Sequence, residues 1–117
     1  MDTSDKLNQY PKILTAYLQE IAAERNSGLG NDMEYQTISD TGGGHFQLLR
    51  TGWHNERFIF QVLIHADIKP NGKVWVQQNI TELPLGEDLQ MRGIPKSDMV
   101  IGFRPEYLRR LSEYAVA

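Results

Sequence analysis

The segment that decides the fold runs from Arg57 to Asn79 and reads RFIFQVLIHADIKPNGKVWVQQN. Every second residue from Phe58 to Ile68 is apolar, and the loop Pro70-Asn71-Gly72 separates this run from a second alternating run. Alternation with a period of two is typical of β-strands, and glycine adopts the left-handed conformation that a tight hairpin needs. The segment therefore predicts a β-hairpin.

The three-residue loop sets the register of this hairpin. It pairs residues symmetrically: Lys69 with Lys73, Ile68 with Val74, Asp67 with Trp75, Ala66 with Val76, and His65 with Gln77. Alternation predicts that one face of the first strand is apolar and carries Phe58, Phe60, Val62, Ile64, Ala66 and Ile68. A shift of one residue would move Trp75 and Gln77 onto that face, so the apolar pattern selects the first register.

On both sides of the strand region, the spacing of apolar residues changes from that of a strand to that of a helix. Before the strands, apolar residues recur every three or four positions, which predicts a helix over 4–25, kinked near Pro11 or beginning there. Ser4 or Asp5 is the expected N-cap, and turn-forming residues follow at 26–32. The remaining predicted elements are strands at 33–40, 45–53, 57–69 and 73–79, and short helices at 81–92 and 105–113. Residues 99–103 are expected to be a buried apolar segment.

These elements predict an α+β fold in which the N-terminal helix packs on a four-stranded antiparallel sheet meander, followed by short C-terminal helices. The length of 117 residues indicates one domain, 1–117. No cysteine is present, which excludes disulfide scaffolds and thiolate metal sites. With no signal-like start and no long apolar run, the sequence predicts a cytoplasmic protein without membrane association.

Four side chains of the hairpin form the first candidate site. His65 and Asp67 share one strand face, and Trp75 and Gln77 lie across from them. A histidine and a carboxylate in this arrangement suit proton transfer or metal binding, but no third ligand stands at a diagnostic spacing. A polar cross-strand cluster and a partner-binding surface anchored by Trp75 are the other interpretations. We expect no catalytic centre, no metal and no cofactor.

Two further features have weaker functional interpretations. Gly42-Gly43-Gly44 lacks the spacing of a phosphate-binding loop and joins two predicted strands, so a flexible hairpin loop is the better interpretation. Arg104, Arg109 and Arg110 are the only basic concentration. They fit a solvated helix face, or a patch for an acidic partner or nucleic acid. The net charge of −3 argues against a dedicated DNA-binding protein.

Several long motifs occur in order along the chain: HFQLLRTGW (45–53), HADIKPNGKVWVQQNITE (65–82), GIPKSDMVIGFRP (93–105) and the terminal YAVA. Together with the Asp5-Lys6-Leu7 start, they resemble the XisI family, the fdxN-element excision controlling factors. The resemblance implies an α+β domain with an antiparallel sheet. It also implies a role in developmentally regulated DNA rearrangement, together with an XisH-type companion protein and a separate site-specific recombinase. It carries over no catalytic residues.

From residues and resemblance together, we expect a non-enzymatic accessory factor that controls excision of a DNA element by binding the XisH-type protein. The expected contact residues are Trp75, His65, Asp67 and Gln77, with DNA reached indirectly through a recombinase complex. One alternative is a direct DNA-binding excision or directionality factor that uses Arg104, Arg109 and Arg110. Another is a nuclease-like enzyme component that uses His65 and Asp67. A homo-oligomer also stays open, because edge strands of such sheets commonly pair or are covered.

Overall fold

Helix α1 (Thr3–Ser27) opens the fold in the computed structural model, which describes residues 1–28, 30 and 32–117. Its N-cap is Asp2, whose side chain accepts a hydrogen bond from the Asp5 backbone N–H at 2.9 Å. The predicted caps Ser4 and Asp5 are therefore wrong, and both residues lie within the first turn. Pro11 lies inside the helix, which runs on in both directions. The predicted turn at 26–32 includes Leu29 and Asn31, which lie outside the described residues.

The sheet confirms the predicted α+β fold and adds one strand to it. Strands β1 (Met33–Asp40), β2 (His45–His54), β3 (Arg57–Ile68) and β4 (Val74–Asn79) pair antiparallel in chain order. A fifth strand, β5 (Met99–Ile101), pairs with β4 in parallel. The sequence analysis recognised this segment only as buried and apolar, because three residues are too few to display a period.

Short helical elements connect β4 to β5 and follow β5. Helix α2 is Leu85–Met91, a single 3-10 turn spans Lys96–Asp98, and helix α3 is Glu106–Arg109. The predicted helix at 81–92 therefore begins four residues too early. Residues 81–84 instead form a side-chain-supported turn, in which the Leu83 N–H donates to Thr81 Oγ1 at 3.2 Å. The predicted helix at 105–113 is too long, and the tail after it returns to β5 through Ala115 N–H and Met99 O at 2.8 Å.

One face of the sheet packs against α1. We call it the helix face, defined by Phe46, Leu48, Ile64, Val74 and Val76, and its opposite the far face, defined by Gln47, Leu49, His65, Asp67 and Trp75. The helix-face residues are buried in one core with side chains of α1: Tyr10, Leu14, Leu18 and Ile21. The prediction that α1 covers the apolar face is confirmed. Among the described residues, no helix combines the length and hydrophobicity needed to cross a membrane.

A β-bulge reverses the faces of β3 halfway along the strand. Leu48 pairs with Ile64 while its neighbour Leu49 pairs with Val62, so Leu63 is an extra residue. Leu48 and Leu49 are successive residues of β2, so their side chains point to opposite faces. Their partners Ile64 and Val62 therefore also point to opposite faces, although they are two residues apart on β3. The predicted apolar face is therefore wrong in its first half. Phe58 and Phe60 lie on the far face, where they are 54% and 66% exposed.

A second irregularity lies between β3 and β4. The predicted pairs of Ile68 with Val74, Asp67 with Trp75 and Ala66 with Val76 are confirmed. His65, however, pairs with Gln78 rather than with the predicted Gln77, because Gln77 is the extra residue of a bulge. Gln77 nevertheless stays close to the candidate site, as described below.

Candidate functional site

Two histidines and one carboxylate meet on the far face near one end of the sheet. Asp67 and His65 lie two residues apart on β3, and His45 at the start of β2 is directly opposite Asp67. Asp67 Oδ1 lies 2.7 Å from His45 Nδ1 and 2.7 Å from His65 Nε2. The pairing of β2 with β3 thus adds His45 to the predicted His65 and Asp67. We call these three residues the His–Asp–His cluster.

Two glutamines support this cluster. Gln47 Nε2 lies 2.8 Å from His65 Nδ1, and Gln77 Nε2 donates to Asp67 Oδ2 at 3.4 Å. Burial raises the pKa of Asp67, but the hydrogen bonds of His45, His65 and Gln77 lower it more, so the pKa lies below its ordinary value. Asp67 is therefore held as a carboxylate. Such an arrangement can relay protons between two imidazoles or hold a cation.

The glycine loop that precedes β2 brings His45 to this position. Gly44 has a φ of +75°, which favours glycine, and a Cβ on it would lie 2.5 Å from the Ile68 carbonyl oxygen. The Ile68 N–H donates to Gly44 O at 2.8 Å, immediately beside the pair formed by His45 and Asp67. The glycine run before His45 is visible in the sequence. Only the pairing of β2 with β3, however, shows that His45 lies opposite Asp67.

Trp75 lies on the far face next to the cluster, and its side chain is half-buried rather than fully exposed. The Lys69 ammonium lies 5.9 Å and the Arg109 guanidinium 5.5 Å from its ring centroid. Gly102 packs so closely that a Cβ there would lie 3.1 Å from the ring and 2.5 Å from Gln77 Oε1. The predicted residues His65, Asp67, Trp75 and Gln77 are thus brought together, with much of the Trp75 ring covered by this chain.

A group of exposed aromatic residues occupies the other end of the far face. Trp53 and Phe58 are cross-strand partners whose rings meet edge to face, with centroids 5.2 Å apart, and Phe60 follows on the same strand face. Trp53 is 54% exposed, like Phe58. We call these three residues the aromatic patch. Sequence alternation placed Phe58 and Phe60 on the apolar face of their strand, because alternation alone does not reveal the bulge at Leu63.

Two of the three arginines of the predicted basic patch have side-chain partners within the chain. Arg109 donates to Val116 O at 2.7 Å and to Arg104 O at 2.6 Å, while its guanidinium lies near Trp75. Arg110 pairs with Glu106 at 2.8 Å, one helical turn away. Arg104 and Arg110 are exposed, whereas Arg109 is half-buried. Arg109 thus binds the C-terminal tail, whereas the side chains of Arg104 and Arg110 are open to solvent.

The chain is similar to known proteins over nearly its whole length. The XisI protein family matches residues 4–116. A XisI-like protein from Anabaena variabilis ATCC 29413 is 36% identical, with a TM-score of 0.85 over 95% of this chain and 99% of that one. The fdxN element excision controlling factor XisI from the same strain is 24% identical, with a TM-score of 0.78 over 96% and 99%, a likeness of fold. No curated protein matches. On the family match and the first of these structures, the chain belongs to the XisI family.

Proposed function

We propose that this protein is a non-enzymatic accessory factor in the controlled excision of a DNA element, and that it acts by binding a protein partner of the XisH type. The family supports the biological setting, because one solved relative is described as an fdxN element excision controlling factor. The partner is the companion expected from the family resemblance. The aromatic patch is the single observation that carries the binding mode.

The aromatic patch has the composition of a protein-binding anchor. Trp53, Phe58 and Phe60 lie side by side on a regular sheet, so their positions are fixed by backbone pairing before any partner arrives. Each of the three residues is more than half exposed. Large aromatic side chains dominate the binding energy of protein interfaces, and contiguous exposed apolar surface marks interaction sites. Preorganised rings also lose little conformational entropy on binding.

Direct binding of DNA is less well supported by the same geometry. Arg109 is held by two carbonyl oxygens and the face of Trp75, and Arg110 forms an exposed ion pair with Glu106. A protein that contacts several phosphates needs its cations free to replace counterions. In the proposed role, therefore, contact with DNA passes through the partner and a recombinase complex.

Co-purification tests the proposal directly. The XisH-type companion is expressed with this chain and with Trp53→Ala, Phe60→Ala and Trp75→Ala variants, each checked for its fold by circular dichroism. We expect the chain to retain the companion and the Trp53 and Phe60 variants to lose it. No complex with the unaltered chain would contradict the proposed function.

The Trp75→Ala variant separates the two ends of the far face. If it alone loses the companion, the contact lies at Trp75, His65, Asp67 and Gln77, as the sequence predicted, and the aromatic patch is excluded. A mobility-shift assay on duplex DNA without the companion tests the alternative. A shift that disappears in Arg104→Ala and Arg110→Ala variants would favour direct DNA binding over the proposed route.

A further inference from the structure

We propose that His45, His65 and Asp67 form a binding site for a divalent transition-metal ion of the zinc type. The inference is independent of the proposed partner, because it rests only on the geometry of the His–Asp–His cluster. One ligand atom from each residue lies within 4.8 Å of the other two. Two imidazole nitrogens and one carboxylate oxygen are a common ligand set for such ions.

The separations of the two imidazole nitrogens from Asp67 are close to those that a metal ion needs. Both imidazole nitrogens lie 2.7 Å from Asp67 Oδ1. In a tetrahedral site with bonds of roughly 2.0–2.1 Å, ligand atoms lie about 3.3 Å apart. Each of these two nitrogen–oxygen separations therefore has to widen by only about half an ångström to accommodate the ion. A metal ion then takes the place of the protons that now join the imidazoles to Asp67.

The backbone holds the three ligands in this arrangement. His45 and Asp67 are paired across β2 and β3, and His65 lies on the same face of β3 as Asp67. Ligands on paired strands are positioned more precisely than ligands on loops. The close approach of Gly44 to Ile68 maintains the pairing at this point. Little conformational freedom is lost when the ion binds.

Gln47 supplies the support that a metal-binding histidine usually has. Its side-chain amide lies 2.8 Å from His65 Nδ1. With Gln47 Oε1 turned toward that nitrogen, the amide accepts its proton and leaves the His65 Nε2 lone pair for the metal. An acceptor on the far nitrogen is the normal partner of a ligating histidine, because it fixes both tautomer and ring orientation. Gln77 supports Asp67 Oδ2 in the same way.

The ligand atoms of the site also favour some metal ions over others. Imidazole nitrogens suit zinc, nickel and cobalt, whereas magnesium and calcium require mainly oxygen ligands. The His45 side chain is 57% exposed, so one side of the cluster is open to solvent. Three protein ligands with an open fourth position are expected, and that position is accessible to water or to a ligand group of another molecule.

Titration with Zn²⁺ tests the inference on the full chain, freed of any affinity tag and treated with a chelator. Calorimetry is expected to give one equivalent bound, and Mg²⁺ no measurable heat. His45→Ala, His65→Ala and Asp67→Asn variants should each weaken binding by at least about tenfold. His54→Ala is the matched control, since His54 lies in β2 but outside the cluster and should bind as the unaltered chain does.

A Co²⁺ titration gives a second readout, because the visible absorption of the bound ion reports its coordination geometry. Visible absorption of a tetrahedral Co²⁺ centre should develop in the unaltered chain and in His54→Ala, and be lost in His45→Gln, which keeps a polar side chain of similar reach. Circular dichroism separates loss of the site from loss of the fold. No zinc binding by the unaltered chain, binding by the His45 or His65 variants as tight as that of the unaltered chain, or loss of binding in His54→Ala would overturn the inference.

Discussion

At the scale of single residues, Asp98 joins the first turns of α1 to the turn that precedes β5. Its Oδ2 accepts a hydrogen bond from the Tyr10 hydroxyl at 2.5 Å, and the Lys6 ammonium lies 3.0 Å away. Asp98 and Tyr10 are both buried. Burial raises the pKa of Asp98, but the hydrogen bonds of Tyr10 and Lys6 lower it more, so it stays below its ordinary value.

An Asp98→Asn variant tests this contact. Replacing the carboxylate removes charge-assisted hydrogen bonds, and we expect a loss of about 2 kcal/mol in the free energy of unfolding at pH 7. Because the folded-state pKa of Asp98 lies below the unfolded value of about 3.9, its contribution is complete above that value. It is lost as the pH falls through the folded pKa. Urea unfolding should therefore show a difference between variant and unaltered chain at pH 7 that shrinks below about pH 4. Equal stability at pH 7 would contradict the account.

Gly44 is the residue on which the position of His45 depends. A Gly44→Ala change puts a Cβ against the Ile68 carbonyl in a backbone conformation that alanine rarely adopts. We expect a loss of roughly 1–3 kcal/mol in the free energy of unfolding. Gly42→Ala, in the same loop, is the matched control, because its Cβ would meet nothing nearer than Asp40 Oδ1 at 3.8 Å. Similar losses in both variants in thermal or urea unfolding would refute the role of Gly44.

At the scale of elements, the bulge at Leu63 decides which aromatic residues stabilise the fold. Phe46 on β2 is fully buried on the helix face, whereas Phe60 on β3 is 66% exposed on the far face. Phe46→Ala should therefore cost about 3–5 kcal/mol, and Phe60→Ala less than about 1 kcal/mol. Urea unfolding of the two variants measures the difference. A large loss for Phe60→Ala would mean that its ring belongs to the core, as simple alternation predicts.

Local sequence predicted the strands better than their faces. The bounds of β1 and the hairpin pairs nearest Pro70-Asn71-Gly72 follow from period and loop length, which act over a few residues. The bulges at Leu63 and Gln77 depend on how whole strands twist and pack, so no local sequence pattern predicts them. The helix start at Leu85 was missed for a related reason, since Thr81 caps a turn instead of a helix.

At the scale of the whole molecule, the two faces of the sheet differ in their surroundings. Its helix face is closed by α1 and forms the core, while the far face carries both the aromatic patch and the His–Asp–His cluster. The sequence identified His65, Asp67, Trp75 and Gln77 as neighbours because they belong to one hairpin. The sequence did not identify His45 or the aromatic patch as site residues, because their positions depend on the pairing and register of β2 and β3.

The affinity of this protein for its XisH-type companion tests the central proposal most directly. Binding is measured in solution for the unaltered chain, for Phe60→Ala, and for Tyr107→Ala as control, because Tyr107 is similarly exposed at 68% but lies on α3. We predict that Phe60→Ala weakens the complex by at least about tenfold and that Tyr107→Ala leaves it unchanged. Equal affinity of the unaltered chain and Phe60→Ala would contradict binding through the aromatic patch.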